Sequence, residues 1–232
     1  MNWFRRLREA PVTSALIAVN LLVYAIMAVA SRHWFPSFDD NTLMAAGASL
    51  SGPGIDVSHW RWLTAAFIHA SVLHILMNLW VLGQIGALSE QALGSGLIAV
   101  TYLVTGVLGN VLSSVHAAAI VERTASVGAS GAIMGLIGMA ATFAWRTGQR
   151  RAAKVLAFNI LFVLGVGLTL SARGISLIDN AAHIGGLVAG VVIGFVRASV
   201  PRPMPRWLDA TAIAASFALT ALAFAVVQLS AG

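Results

Sequence analysis

The 232-residue chain contains no cysteine, and only 9% of its residues are charged. Without cysteine there is no disulfide, no thiolate metal site and no thiol nucleophile. A soluble domain carries roughly 25% charged and 45–50% apolar residues, whereas 59% of this chain is apolar and its mean hydropathy is +0.86. So few polar side chains cannot cover a water-facing surface, which excludes a soluble globular protein. Acids are scarcer than bases, 8 against 14, for a net charge of +6. The basic residues are scattered rather than gathered in a stripe with interleaved aromatics, so nucleic acid is not an expected partner. What is left is a polytopic protein of the lipid bilayer.

A helix needs roughly 20 mainly apolar residues to cross the hydrocarbon core. Seven stretches have that length, at about 11–30, 68–88, 95–115, 125–145, 153–171, 179–197 and 207–229. Their apolar runs are continuous, whereas barrel strands alternate apolar and polar positions. The expected fold is therefore all-α, a transmembrane helical bundle. Ala28-Val29-Ala30 before Ser31 has the look of a signal-peptidase site. The apolar run from Val12 is longer than the roughly 7–15 residues of a signal core, however, so a retained helix is expected.

Lys and Arg set the orientation. Arg5, Arg6 and Arg8 precede the first span; Arg146, Arg150, Arg151 and Lys154 follow the fourth; Arg197, Arg202 and Arg206 follow the sixth. All ten are on one side, against Arg32, Arg61, Arg123 and Arg173 on the other. The positive-inside rule then places the N-terminus in the cytoplasm and the C-terminus outside. The one long loop, 31–67, carries Trp34, Phe35, Pro36, Phe38, Trp60 and Trp62. That aromatic density suits a segment lying partly in the headgroup layer.

Polar groups inside spans cost several kcal/mol unless paired or wetted, so they are informative. His74 and Asn78 lie four apart on the second span, in His69-Ala70-Ser71-Val72-Leu73-His74-Ile75-Leu76-Met77-Asn78, and share a helix face. Ser130 lies near the start of the fourth span in Gly128-Ala129-Ser130-Gly131, and His183 near the start of the sixth. All three spans begin on the outer side in this topology, so the four residues come to a common depth, within about three turns of the helix starts. Gly131, Gly135 and Gly138 on the fourth span, and Gly186, Gly190 and Gly194 on the sixth, form small-residue stripes that let helices approach closely in membranes.

A serine hydroxyl, an imidazole base and donors for a developing oxyanion are the parts of nucleophilic acyl chemistry. Ser130, the histidines, Asn78 and the Ser130 backbone N–H can supply them. Each also has a structural reading. A membrane serine often bonds back to its own helix, and membrane His and Asn often join helices.

Taken together, His74-x-x-x-Asn78, Gly128-Ala129-Ser130-Gly131 and Ala182-His183-x-x-Gly186 resemble the rhomboid intramembrane serine proteases. Trp60-Arg61 in the long loop resembles that family's Trp-Arg motif, and Glu90 in the run to Gly94 also fits. The resemblance covers about residues 11–197. It implies a six-helix core over 1–197, including a cytoplasmic N-terminal segment, with 198–232 as a linker and an additional C-terminal helix. It implies a Ser–His dyad without a catalytic acid: Ser130 as nucleophile, His183 as general base, and His74, Asn78 and backbone N–H groups at Ser130 around the oxyanion. Substrates would be single-span membrane proteins cut within or beside the span, with water entering from the outer side, and no cofactor is implied. Met134 stands where some members carry an aromatic residue that packs on the base. Asp179, four residues before His183, reads better as a helix-start residue than as a third triad member.

Other readings are weaker. A transporter or channel could use intramembrane His and Asn, but no Asp or Glu is expected deep in a span and no inverted repeat is evident. A G-x-S-x-G hydrolase would need glycine where Ala132 stands. A non-catalytic relative would not be expected to keep both Ser130 and His183. A zinc site built on His69, His74 and His183 is disfavoured, because His69 and His74 are five apart and diverge on a helix, and no H-E-x-x-H is present. The compact chain suggests a bacterial inner membrane. Reporter fusions near Arg150 and Arg202 should score as cytoplasmic and a fusion at Gly232 as external; a cytoplasmic Gly232 would overturn this topology and the common depth of the four polar residues.

Overall fold

The computed structural model describes residues 3–32, 37–52, 59–120, 124–175, 178–200 and 205–230. It is a helical bundle. A short α1 (Trp3–Arg8) leads into α2 (Pro11–Ser31), whose first position is a proline that has no N–H to leave unpaired. The long loop contains α3 (Asp40–Ala46), β1 (Ser49–Ser51), α4 (Arg61–Thr64) and a 3₁₀ turn (Ala65–Phe67). Then come α5 (Val72–Leu93), α6 (Ser95–Ala119), β2 (Thr124–Ser126), α7 (Ser130–Arg146), α8 (Arg150–Ser171), α9 (Asn180–Ser199) and α10 (Arg206–Ser230). Six of these helices, α2, α5, α6, α8, α9 and α10, are long and apolar enough to cross a membrane.

The fourth expected span differs most from its sequence reading. The stretch 125–145 does not start as a helix: residues 124–126 form β2, which pairs antiparallel with β1, Ser49 opposite Ser126. The helix itself, α7, has 17 residues and begins at Ser130. It is sheathed by the other helices, with most of its residues buried. The short sheet was not legible in the sequence, because a three-residue strand has no periodicity to read.

The closest packing joins α7 to α9. A Cβ on Gly186 or Gly190 would run into the carbonyl of Gly131 or Gly135, and one on Gly194 would lie 2.6 Å from the Met139 oxygen. The α6 helix joins the pair by the same device: a Cβ on Gly109 would lie 2.7 Å from the Ala182 oxygen, and one on Gly185 2.8 Å from the Leu108 oxygen. Around this triple sit Ile98, Tyr102, Leu136 and Met139, all fully buried. By contrast, α8 packs along α7 at the edge of the bundle and buries only Ala153 and Gly167.

Buried carboxylates cap helices here. Glu90 lies in the last turn of α5, which runs on past the expected end of the span near residue 88, and it is buried there. It accepts from the backbone N–H groups of Val12 and Thr13 (2.9 and 2.7 Å) and from the hydroxyls of Thr13 and Ser95 (2.7 and 2.6 Å). The donors it satisfies are the orphaned first-turn groups of α2. Likewise Asp209 of α10 accepts from Gly96 N–H at the start of α6, at 2.7 Å. The α10 helix packs on α6 and α4, with Phe224 edge-on to Phe67.

Within the long loop, Phe38 packs inward against Tyr24 rather than outward into headgroups. Trp60 is exposed and Trp62 donates to the Ser114 hydroxyl at 3.0 Å. Trp34, Phe35 and Pro36 lie outside the described residues. The glycine contacts make an opposite-sign prediction. Gly190→Ala should lower stability by about 1–3 kcal/mol or more through overpacking. Gly165→Ala on α8, where an added methyl meets nothing within 4 Å, should raise it by up to about 1 kcal/mol through helix propensity. Unfolding in detergent micelles by denaturant titration checks both signs.

Candidate active site

Ser130 is the first residue of α7, reached through the turn Val127-Gly128-Ala129. Gly128 has φ +113°, a conformation that favours glycine. It is also pressed against the second candidate helix: a Cβ there would lie 2.7 Å from His74 Nε2 and 3.5 Å from Asn78 Nδ2. Both side chains of the His74–Asn78 face are therefore aimed at the turn that carries Ser130. On the other side, a Cβ on Gly131 would lie 3.3 Å from the Ala182 oxygen. The chain neighbours of that contact are Ser130 and His183.

The polar groups gathered here have few partners. The Ser130 hydroxyl bonds to no described residue, so it is not joined to His183 and does not bond back to its own helix. At the first helical position there is no preceding turn whose carbonyl could take its proton. His183 Nδ1 and Asn78 Nδ2 are buried without a partner. The first bond onto Ala129 comes from Ile133 N–H, so the N–H groups of Ser130, Gly131 and Ala132 have no backbone acceptor. A helix start with free N–H groups favours negative charge. Such a place can receive an oxyanion beside a hydroxyl.

His69 was not expected to matter, and the reason was wrong. It precedes α5, which starts at Val72 with Ser71 as its cap, so helical spacing does not separate it from His74. Their rings meet edge to face, 5.1 Å between centroids. His69 Nδ1 lies 3.3 Å from the Phe67 oxygen, and its Nε2 accepts from Ala129 N–H at 3.4 Å. Those two bonds assign a neutral ring with the proton on Nδ1. His69 therefore holds the residue just before Ser130. The sequence signal for the break was Ser71, a side chain that caps a helix starting at Val72 and so leaves His69 ahead of it.

Asp179 sits at the start of α9 and does not orient His183. Its Oδ1 accepts from Ala182 N–H at 2.9 Å, and its Oδ2 lies 2.6 Å from Ser113 Oγ and 2.8 Å from Ser126 Oγ. The network continues through Ser126 Oγ to Asn110 Oδ1 (2.8 Å) and from Asn110 Nδ2 to the Trp62 oxygen (2.7 Å). It ties β2, α6, the long loop and α9 together behind the site. Arg61 has an anchoring role: its Nη1 donates to the Met44 and Ala48 oxygens, at 2.6 and 3.2 Å. Met134 is buried in the central apolar cluster.

Residues 57–200 match the family model of the Rhomboid domain, a stretch that contains all the residues just described except Met44 and Ala48. RHOMBOID-like protein 7 of Arabidopsis thaliana is 33% identical over 177 residues, covering 71% of this chain and 54% of that protein. Rhomboid-like protease 3 of Toxoplasma gondii is 29% identical over 195 residues, covering 83% of this chain and 71% of the relative. Rhomboid protease GluP of Bacillus subtilis is 29% identical over 178 residues, covering 77% and 33%. The chain spans about half the length of the first of its curated relatives.

The Asp179 cap has a direct stability test. Asp179→Ala should cost about 0.5–2 kcal/mol for the lost cap, and more if Ser113 and Ser126 are stranded. Asp179→Asn, whose amide oxygen can still accept from Ala182 N–H, should cost much less. Thermal unfolding of the two variants decides; equal losses would show that charge, not the cap, is what Asp179 contributes.

Proposed function

The chain belongs to the rhomboid family, and from that premise we propose that it is an intramembrane serine endopeptidase with Ser130 as nucleophile and His183 as general base. The observation that carries this reading is the concentration of polar groups without partners among the described residues: the buried His183 Nδ1 and Asn78 Nδ2, and beside them the half-buried Ser130 hydroxyl and the N–H groups of the first α7 turn. The other orphaned buried side-chain atoms among the described residues fall singly, at Arg6, Asn20, Ser49 and Asn180. Unsatisfied polar atoms are costly in a bundle, so a cluster of them is best explained by a ligand that completes it.

In the proposed reaction Ser130 Oγ attacks the scissile carbonyl carbon while His183 takes the hydroxyl proton. The oxyanion forms against Asn78 Nδ2, the His74 ring and the N–H groups at Ser130. His183 returns the proton to the leaving amine as the C–N bond breaks. Water then hydrolyses the acyl-Ser130 ester with the same base, releasing the serine. The engagement of Asp179 by Ser113, Ser126 and Ala182 supports a dyad without a catalytic acid. A Ser–His bond that is open without substrate is common, since such bonds tighten on binding.

The substrates in this reading are single-span membrane proteins, cut within or beside the span. The N-terminus is cytoplasmic and the site opens to the outer side, as the ten-to-four distribution of basic residues supports. A bacterial cell membrane is the proposed location. No cofactor or metal enters the chemistry. The transporter reading gains nothing from the family match.

Purified protein in detergent should cut a single-span substrate. Ser130→Ala and His183→Ala should abolish the cut while leaving the thermal transition in place, and a fluorophosphonate should label Ser130. His74→Ala or Asn78→Ala should lower kcat by about 10²–10³-fold with a smaller change in KM. Unchanged cleavage by Ser130→Ala, or activity lost to a chelator and restored by zinc, would overturn the proposal.

A further inference from the structure

The opposite end of the bundle has a cavity of about 1000 Å³ between α5, α7 and α8. It is well away from Ser130: Ala140, on its wall, is ten residues farther along α7, about 15 Å at the helical rise. Its walls are mainly apolar, with Ile85 and Leu88 on α5, Phe143 on α7 and Leu156 on α8. At its mouth stand Arg150 and Arg151. The gap exists because α8 packs along α7 but leaves α5 standing apart, and Leu88 and Val155 on its edges are exposed. In a bilayer such a gap faces acyl chains.

The charge at the mouth is uncompensated. Arg150 lies over the Trp145 ring, 3.8 Å from its centroid, a contact that leaves the edge of the guanidinium free. Neither Arg150 nor Arg151 pairs with a carboxylate among the described residues, where the one ion pair is Arg5 with Glu9. The acids on the same side of the bundle are otherwise committed: Glu90 caps α2 and Asp209 caps α6. Arg146 and Lys154 add positive charge nearby in the chain, and Arg197 of α9 reaches the same end over the Phe143 ring, 5.5 Å from its centroid. An apolar slot open to lipid, with two free guanidinium groups at headgroup level, has the two-part chemistry of a phospholipid with a negative headgroup.

We propose that this cleft binds one anionic phospholipid, its acyl chains between α5 and α8 and its phosphate at Arg150 and Arg151. The site is independent of the catalytic reading, since none of its residues belongs to the Ser130 cluster. Occupancy would brace α8, the spanning helix with the least buried surface.

The test uses delipidated full-length protein in detergent, with thermal unfolding and native mass spectrometry as readouts. Dioleoyl phosphatidylglycerol at about 100 times its dissociation constant should raise Tm by roughly 5–10 °C and leave one lipid bound. Dioleoyl phosphatidylcholine should do much less, and soluble glycerol phosphate nothing. The double variant Arg150→Gln, Arg151→Gln should lose the preference for the anionic lipid. Ala92→Trp, which fills the slot from α5, should lose binding of both lipids while keeping the native circular dichroism. Equal shifts with the two lipids, a preference surviving in both variants, or an equal response to glycerol phosphate would overturn the proposal. So would a single-span peptide that gives the larger shift in the arginine variant and loses it in Ala92→Trp, which would assign the cleft to a transmembrane helix instead.

Discussion

Where Gly186 and Gly190 of α9 ride on the carbonyls of Gly131 and Gly135, two helices touch backbone to backbone, and the rest of the structure depends on that contact. A bilayer offers no hydrophobic drive between helices, so close approach and the dispersion it brings must do the joining. The contact fixes the register of α7 against α9, and with it the placing of Ser130 beside His183. It also admits α6 through Gly109 and Gly185. A larger residue at any of these points would separate the helices that carry Ser130 and His183.

The bundle divides its polar groups into two kinds. One kind is satisfied and structural: Glu90 on the α2 start, Asp209 on the α6 start, Asp179 on the α9 start, and the Asn110–Ser126 network behind the site. These close off helix ends that would otherwise leave bare N–H groups in an apolar medium. The other kind is left open around Ser130. His69 stands between the two, fully bonded itself while holding the residue that precedes the serine. Rigid, satisfied surroundings are what allow a few groups to wait unpaired in fixed positions.

The two ends of the molecule are also chemically distinct. Around Ser130 the open groups are a hydroxyl, an amide, an imidazole and backbone N–H groups, none of them a permanent anion. At the far end of α7 and α8 the charges are permanent, positive and uncompensated, suited to a surface that is always negative. The helix that lines the basic cleft, α8, is also the spanning helix with the least buried surface.

Much was legible in the sequence because lipid imposes a coarse and strict rule. Each span must be long, apolar and internally bonded, so composition and run length alone indicated the helices and the all-α class. His74, Asn78, Ser130 and His183 stood out because polar groups are rare in such runs, and the glycine stripes because their spacing follows the helical repeat. What the sequence could not decide were features that depend on contacts between distant segments. Glu90 gave no sign of which helix it caps, since its donors are 77 and 78 residues away. The start of α7 at Ser130 rather than near 125 depends on β2 finding β1 across the long loop. His69 reaches Ala129 only because the chain before α5 is not helical. Hydropathy fixes what must lie in the membrane, whereas hydrogen-bond partners far apart in the chain are fixed by packing, and only the tertiary structure brings them together.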